Sequence, residues 1–143
     1  MTAAPFRIEP ADGLITITAG YTPATNIHLP ESNYCRYYWV PVIGSSAWLI
    51  WANLVACLPD TDGPTIDINY AQLAASIGTR PARLTRTLQR VAAFHLAYTT
   101  PTEPATLYLK RAAPALSKRK LDALADTCPA LAAAHDHMLT TAA

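Results

Sequence analysis

Between residues 80 and 120 the chain carries nine of its eleven lysines and arginines, with Glu103 as the one acidic residue among them. Arg80, Arg83, Arg86 and Arg90 recur there at intervals of three or four. On a helix turning by about 100° per residue, Arg83, Arg86 and Arg90 fall within an arc of about 60°, and Thr79 points along the same arc. No acidic residue stands between Asp67 and Glu103, so these arginines lack a carboxylate one turn away. A guanidinium face without local counter-charge repels itself and is favoured where a polyanion supplies the missing charge. The planar fork of arginine suits that task, because it holds guanine O6 and N7, or one phosphate, through two hydrogen bonds.

The flanks have the opposite sign. Residues 1–79 hold two basic side chains against six acidic ones, and residues 121–143 hold three acidic and no basic ones. The net charge of +1 therefore conceals a strongly basic segment between two acidic ones.

Other reactive residue types do not assemble into a recognised chemistry. His95 has no acidic neighbour in sequence and is expected to be structural. His135 and His137 diverge by about 200° on a helix, where a metal pair needs i, i+4 spacing. Cys35, Cys57 and Cys128 are an odd, scattered set without metal-ligand or disulfide spacing, and Cys35 and Cys57 are expected in or near the core. Asp60, Asp62 and Gly63 suggest a calcium loop, but the later ligands are missing, so they read as a turn. With five glycines in all, the chain has no phosphate-binding loop or dinucleotide turn. No catalytic residue, metal ligand or cofactor is expected, and an enzyme is the least supported class. Trp39, Trp48 and Trp51, with Tyr34, Tyr37 and Tyr38, read as core packing, with a dimer interface as the functional alternative.

The elements that must position the arginines follow from local signals. Residues 1–44 read as an extended arm with a strand over Gly13–Ala19, and Tyr34–Val40 as a short strand or a lead-in to the first helix. Ser45 or Ser46 is expected to cap a helix over 47–58. A sharp break at Pro59–Pro64 precedes a short strand over 65–68. A helix from Asn69 or Tyr70 to Ile77 ends at Gly78, placed for a left-handed C-terminal residue. Thr79 is expected to cap the next helix, whose first turn accepts Pro81 and which runs to residue 93 or 94. Leu84, Leu88 and Val91 make its buried stripe. Strands at 96–100 and 106–110 flank a Pro-rich turn, and Ser117 opens a helical region interrupted near Pro129.

Helix, strand, helix, tight turn, helix, strand, strand is the order of a winged helix-turn-helix. The run Leu73-Ala74-Ala75-Ser76-Ile77-Gly78-Thr79-Arg80-Pro81-Ala82-Arg83-Leu84, continuing through Leu88 and Arg90, resembles the helix-turn-helix of bacterial winged-helix regulators. The resemblance covers residues 47–111 and leaves residues 1–44 unexplained. It implies an α+β chain of three parts: an N-terminal extended or β arm over 1–44, a winged helix-turn-helix over 45–111, and a C-terminal helical extension over 112–143. It further implies double-stranded DNA as partner, a transcriptional regulator, and a homodimer whose interface lies in 1–44 or 117–143.

In such a helix the N-terminal residues reach bases while flanking residues hold phosphates. Arg80 and Arg83, then Arg86, are the expected base readers, and Arg90 a phosphate contact. Thr79, Thr85 and Thr87 are candidates for phosphate or thymine-methyl contacts. The hairpin tip carries Glu103 and no cation, so the hairpin is expected to be mainly structural, with Lys110 and Arg111 at its base. Lys118, Arg119 and Lys120 oppose the dipole of a helix N-terminus, which an external anion would offset. A winged-helix module for protein–protein contact, and a replication, partition or architectural factor of a plasmid or phage, are the alternatives.

The 143 residues, 51% hydrophobic and 15% charged, suffice for one domain with a core and argue against disorder. The apolar stretch 39–58 is broken by Pro41, Gly44 and Asn53, so no membrane span is expected. Met1–Glu9 lacks the pattern of a signal peptide, and a cytoplasmic protein is expected.

Overall fold

A computed structural model of the chain describes residues 6–142, so residues 1–5 of the expected arm lie outside the described residues. The architecture is mixed α+β, with seven α-helices, one π-helical turn and a four-stranded sheet among the described residues. No helix among the described residues is long and apolar enough to cross a membrane.

Strand β1 (Leu14–Ala19) is followed by a π-helical turn (Cys35–Trp39) that runs directly into α1 (Val40–Ile43). The strand alternative for 34–40 is therefore wrong, and burial shows why. Tyr34, Cys35, Tyr38 and Trp39 are buried while Arg36 and Tyr37 are exposed, a helical spacing and not an alternating one. Helix α2 (Ser45–Cys57) begins at Gly44, whose φ of 98° turns the chain between the two helices. Gly44 is the capping residue, and neither Ser45 nor Ser46 has that role. Cys57 lies exposed in the last turn of α2, outside the core expected for it.

Strand β2 (Ile66–Asn69) leads into α3 (Tyr70–Ser76), where the Asn69 side chain accepts from Gln72 N–H at 2.9 Å. Gly78, at φ 72°, closes α3: its N–H donates to the Ala75 carbonyl and Thr79 N–H donates to the Ala74 carbonyl. These two bonds form a Schellman motif and use the carbonyls that the helix end leaves unpaired. Helix α4 (Pro81–Ala93) starts with proline in its first turn and buries Leu84, Leu88 and Val91 completely. Its N-cap is Arg80, without a side-chain cap, so the capping role expected of Thr79 does not occur.

Strands β3 (Ala97–Thr100) and β4 (Glu103–Leu109) form the hairpin. Helix α5 (Lys118–Thr127) is capped by Ser117, which accepts from Lys120 N–H at 3.3 Å, and α6 (Pro129–Ala133) and α7 (His135–Ala142) follow.

The sheet order is β2-β1-β4-β3. Strand β1 lies antiparallel to β2 and parallel to β4, with Thr16 opposite Asp67 on one side and Thr106 on the other. The N-terminal segment is thus no peripheral arm, because it supplies an interior strand. Ile15 and Ile17 of β1 and Leu107 and Leu109 of β4 face one core, which α2, α4 and the π-helical turn complete. That core draws on all three expected parts, from Ile8 to Leu124.

The two terminal segments also pack on each other. Tyr34 Oη accepts from Leu116 N–H at 2.7 Å and lies 2.7 Å from His135 Nε2. Tyr38 Oη donates to the Leu131 carbonyl, and the Trp39 indole to the Pro114 carbonyl. The aromatic concentration seen in the sequence is largely core: Tyr34, Tyr38, Trp39 and Trp51 are fully buried, whereas Tyr37 is exposed.

Candidate nucleic-acid interface

The basic residues of α4 separate into two groups. Arg80, at the N-cap, and Arg83 and Arg86, on the first half, are exposed and make no side-chain hydrogen bond or ion pair with any described residue. The main chain fixes their bases. The Arg80 carbonyl accepts from Arg83 N–H at 3.0 Å and Leu84 N–H at 2.9 Å, so the helix starts beneath them. Opposite them, the buried leucine stripe anchors α4 against α2.

Arg90, on the same arc, is engaged within the protein. Its guanidinium donates to the Ile43 carbonyl through Nε and to the Val42 carbonyl through Nη2 at 3.0 Å, and it lies 5.4 Å from the centre of the Phe94 ring. These acceptors are the unpaired carbonyls at the end of α1, which a cation satisfies well. The residue expected to hold phosphate therefore holds the turn between α1 and α2.

Thr85 and Thr87 use their hydroxyl protons inside the helix. Thr85 Oγ1 donates to the Pro81 carbonyl at 3.0 Å and lies 2.7 Å from Tyr70 Oη, and Thr87 Oγ1 donates to the Arg83 carbonyl at 3.1 Å. Burial pushes the Tyr70 hydroxyl above its ordinary pKa, while the bond to Thr85 acts in the other direction. Thr79 is half-buried behind the turn.

The outlying cations are also dispersed. Arg111 pairs with Asp62 at 3.2 Å and donates to the Pro59 carbonyl at 2.6 Å, tying the hairpin base to the turn before β2. Lys110 is half-buried beside Gln89 and His95. Lys118 and Arg119 are exposed on α5, whereas the Lys120 ammonium lies 5.1 Å from the Trp39 ring and 5.4 Å from the Phe94 ring. At the hairpin, Tyr108 Oη donates to Glu103 at 3.4 Å, and no cation occupies the tip formed by Pro101 and Thr102.

Two features had no local signal in the sequence. Buried His28 stacks on Tyr34 at 3.9 Å between ring centres, and Tyr34 in turn meets His135, 101 residues further on. Burial, reinforced by the proximity of His135, lowers the His28 pKa below 6.5. His95 is exposed with φ 62°, the left-handed residue that ends α4. Among the described residues no group of three His, Cys, Asp or Glu side chains is placed to hold a metal ion. Comparison of the chain with protein-family models, curated proteins and solved structures gives no match.

Proposed function

We propose that this protein binds double-stranded DNA by inserting α4 into the major groove, and that it serves as a transcriptional regulator. The observation that carries the reading is the exposure of Arg80, Arg83 and Arg86 at the N-cap and on the first half of α4 without a carboxylate partner. The element order α2, β2, α3, α4, β3, β4 supports a winged helix-turn-helix, with the Gly78 turn as its corner. A helix about 10–12 Å across fits a major groove about 12 Å wide. Arg80 and Arg83, nearest the start of α4, read base edges, with Arg86 beside them. Lys118 and Arg119 are left to attract the backbone electrostatically, and the acid-bearing hairpin takes little part. Two copies on half-sites one helical turn apart would double the contact.

Fluorescence anisotropy with labelled duplex across a salt series tests this. Binding should weaken steeply between low and physiological salt, and R83A/R86A should weaken binding to the preferred duplex by about 1–3 kcal/mol per arginine with little change in the slope of log K against log salt. A salt-independent interaction, or equal binding by the double variant, would refute the assignment.

A further inference from the structure

Away from the exposed arginines of α4 lies a cleft of about 580 Å³, bounded by Pro41 and Val42 of α1, Phe94 after α4, and Ala123 and Leu124 of α5. Pockets that take small organic molecules span about 300–1,000 Å³ and combine apolar walls with a few convergent polar groups. Here the convergent groups are Arg119 and Lys120. Neither side chain makes a hydrogen bond or ion pair with a described residue. The Lys120 ammonium rests near the Trp39 and Phe94 rings, which attract its charge but give its N–H groups no strong acceptor. No carboxylate lines the cleft, and Asp122 and Asp126 of the same helix pair with neither cation. A bare inorganic anion would meet the charge and leave the apolar wall wet. A purely apolar molecule would cover the wall and leave the cations without an acceptor.

We propose that this cleft binds a small organic anion with an aromatic or compact apolar body. Its anionic group lies on Lys120 and Arg119, and its body lies against Val42, Phe94 and Leu124. The site shares Arg119 with the proposed backbone contacts but none of Arg80, Arg83 and Arg86, and its test contains no DNA, so the two readings are tested separately.

The test is an NMR titration of the ¹⁵N-labelled protein with 2-naphthoate at constant ionic strength, without DNA. Saturable shifts should cluster at the amides of Phe94, Lys120 and Ala123, with a dissociation constant on the order of 1 mM or below. Neutral 2-naphthol, and the R119Q/K120Q variant with naphthoate, should each bind about tenfold more weakly, because a charge-assisted contact is lost. A123W fills the cleft from an exposed position on α5 while keeping both cations, and should abolish the shifts. It decides the matter should R119Q/K120Q fold poorly. Equal binding of 2-naphthol, equal displacement by sulfate, unchanged binding to A123W, or no saturation would each overturn the proposal.

Discussion

Arg90 and Ile43 are joined through a hydrogen bond from the guanidinium Nε to the main-chain carbonyl, 47 residues back in the chain. With the second bond to Val42, this contact ties α4 to the turn between α1 and α2. R90A should therefore behave unlike its neighbours. Loss of the two charge-assisted bonds at this largely exposed site should cost about 1–2 kcal/mol in urea denaturation. R83A or R86A, whose side chains make no hydrogen bond or ion pair with a described residue, should change stability by less than about 0.5 kcal/mol.

Tyr34 presents the complementary case, a buried hydroxyl serving two partners. Y34F removes the acceptor of Leu116 N–H and the group bonded to His135 Nε2, leaving both without that partner. The expected loss is about 2–3 kcal/mol by denaturant or thermal unfolding, because buried donors and acceptors left unpaired cost more than a bond contributes. A near-neutral result would mean that water replaces the hydroxyl.

His28 should make stability depend on pH. Its folded pKa lies below 6.5, so the folded protein binds fewer protons at this site than the unfolded chain does. Well above pH 6.5 both states are neutral here and the site contributes no slope. As pH falls from 6.5 toward the folded value, the unfolded chain takes up the proton first and stability is lost. H28F keeps an aromatic ring against Tyr34 and should flatten the stability profile as pH falls below 6.5. Parallel profiles for the two proteins would contradict this.

The two ends of the helix pair offer a matched substitution test. Both α3 and α4 close with the same pair of bonds, around Gly78 and His95 respectively. H95G should raise stability by up to about 1 kcal/mol by relieving the left-handed conformation, and G78A should lower it by about 1 kcal/mol. Thermal unfolding of the two variants measures both signs.

The helix pair was legible in the sequence because its signals are local. Asn69 caps, Gly78 turns, Pro81 starts, and Leu84, Leu88 and Val91 repeat on one face. Placement of β1 was not legible, since nothing in Leu14–Ala19 specifies β4 as its neighbour across some 90 residues. The fate of Arg90 was hidden for a related reason: its acceptors are main-chain carbonyls, and these carry no residue signature. Within Tyr34–Val40 Arg36 is the one charged residue, too little to set a period, and the exposure of Tyr37 beside it is a property of the folded chain. The exposure of both between two buried pairs is the periodicity of a helix. Of the candidate interface, the arc of Arg83, Arg86 and Arg90 was legible, whereas the diversion of Arg90, Arg111 and Lys120 into internal contacts depends on the folded chain.

Strand β1 lies between β2 and β4, pairing on both sides. A fragment cut to residues 45–111 would keep every helix of the proposed DNA-reading unit but lose this middle rung. Two strand edges would then face an empty berth, open to any extended segment of matching polarity. Such a fragment should self-associate, and adding back a peptide spanning Ile8–Ala19 should return it to a monomer.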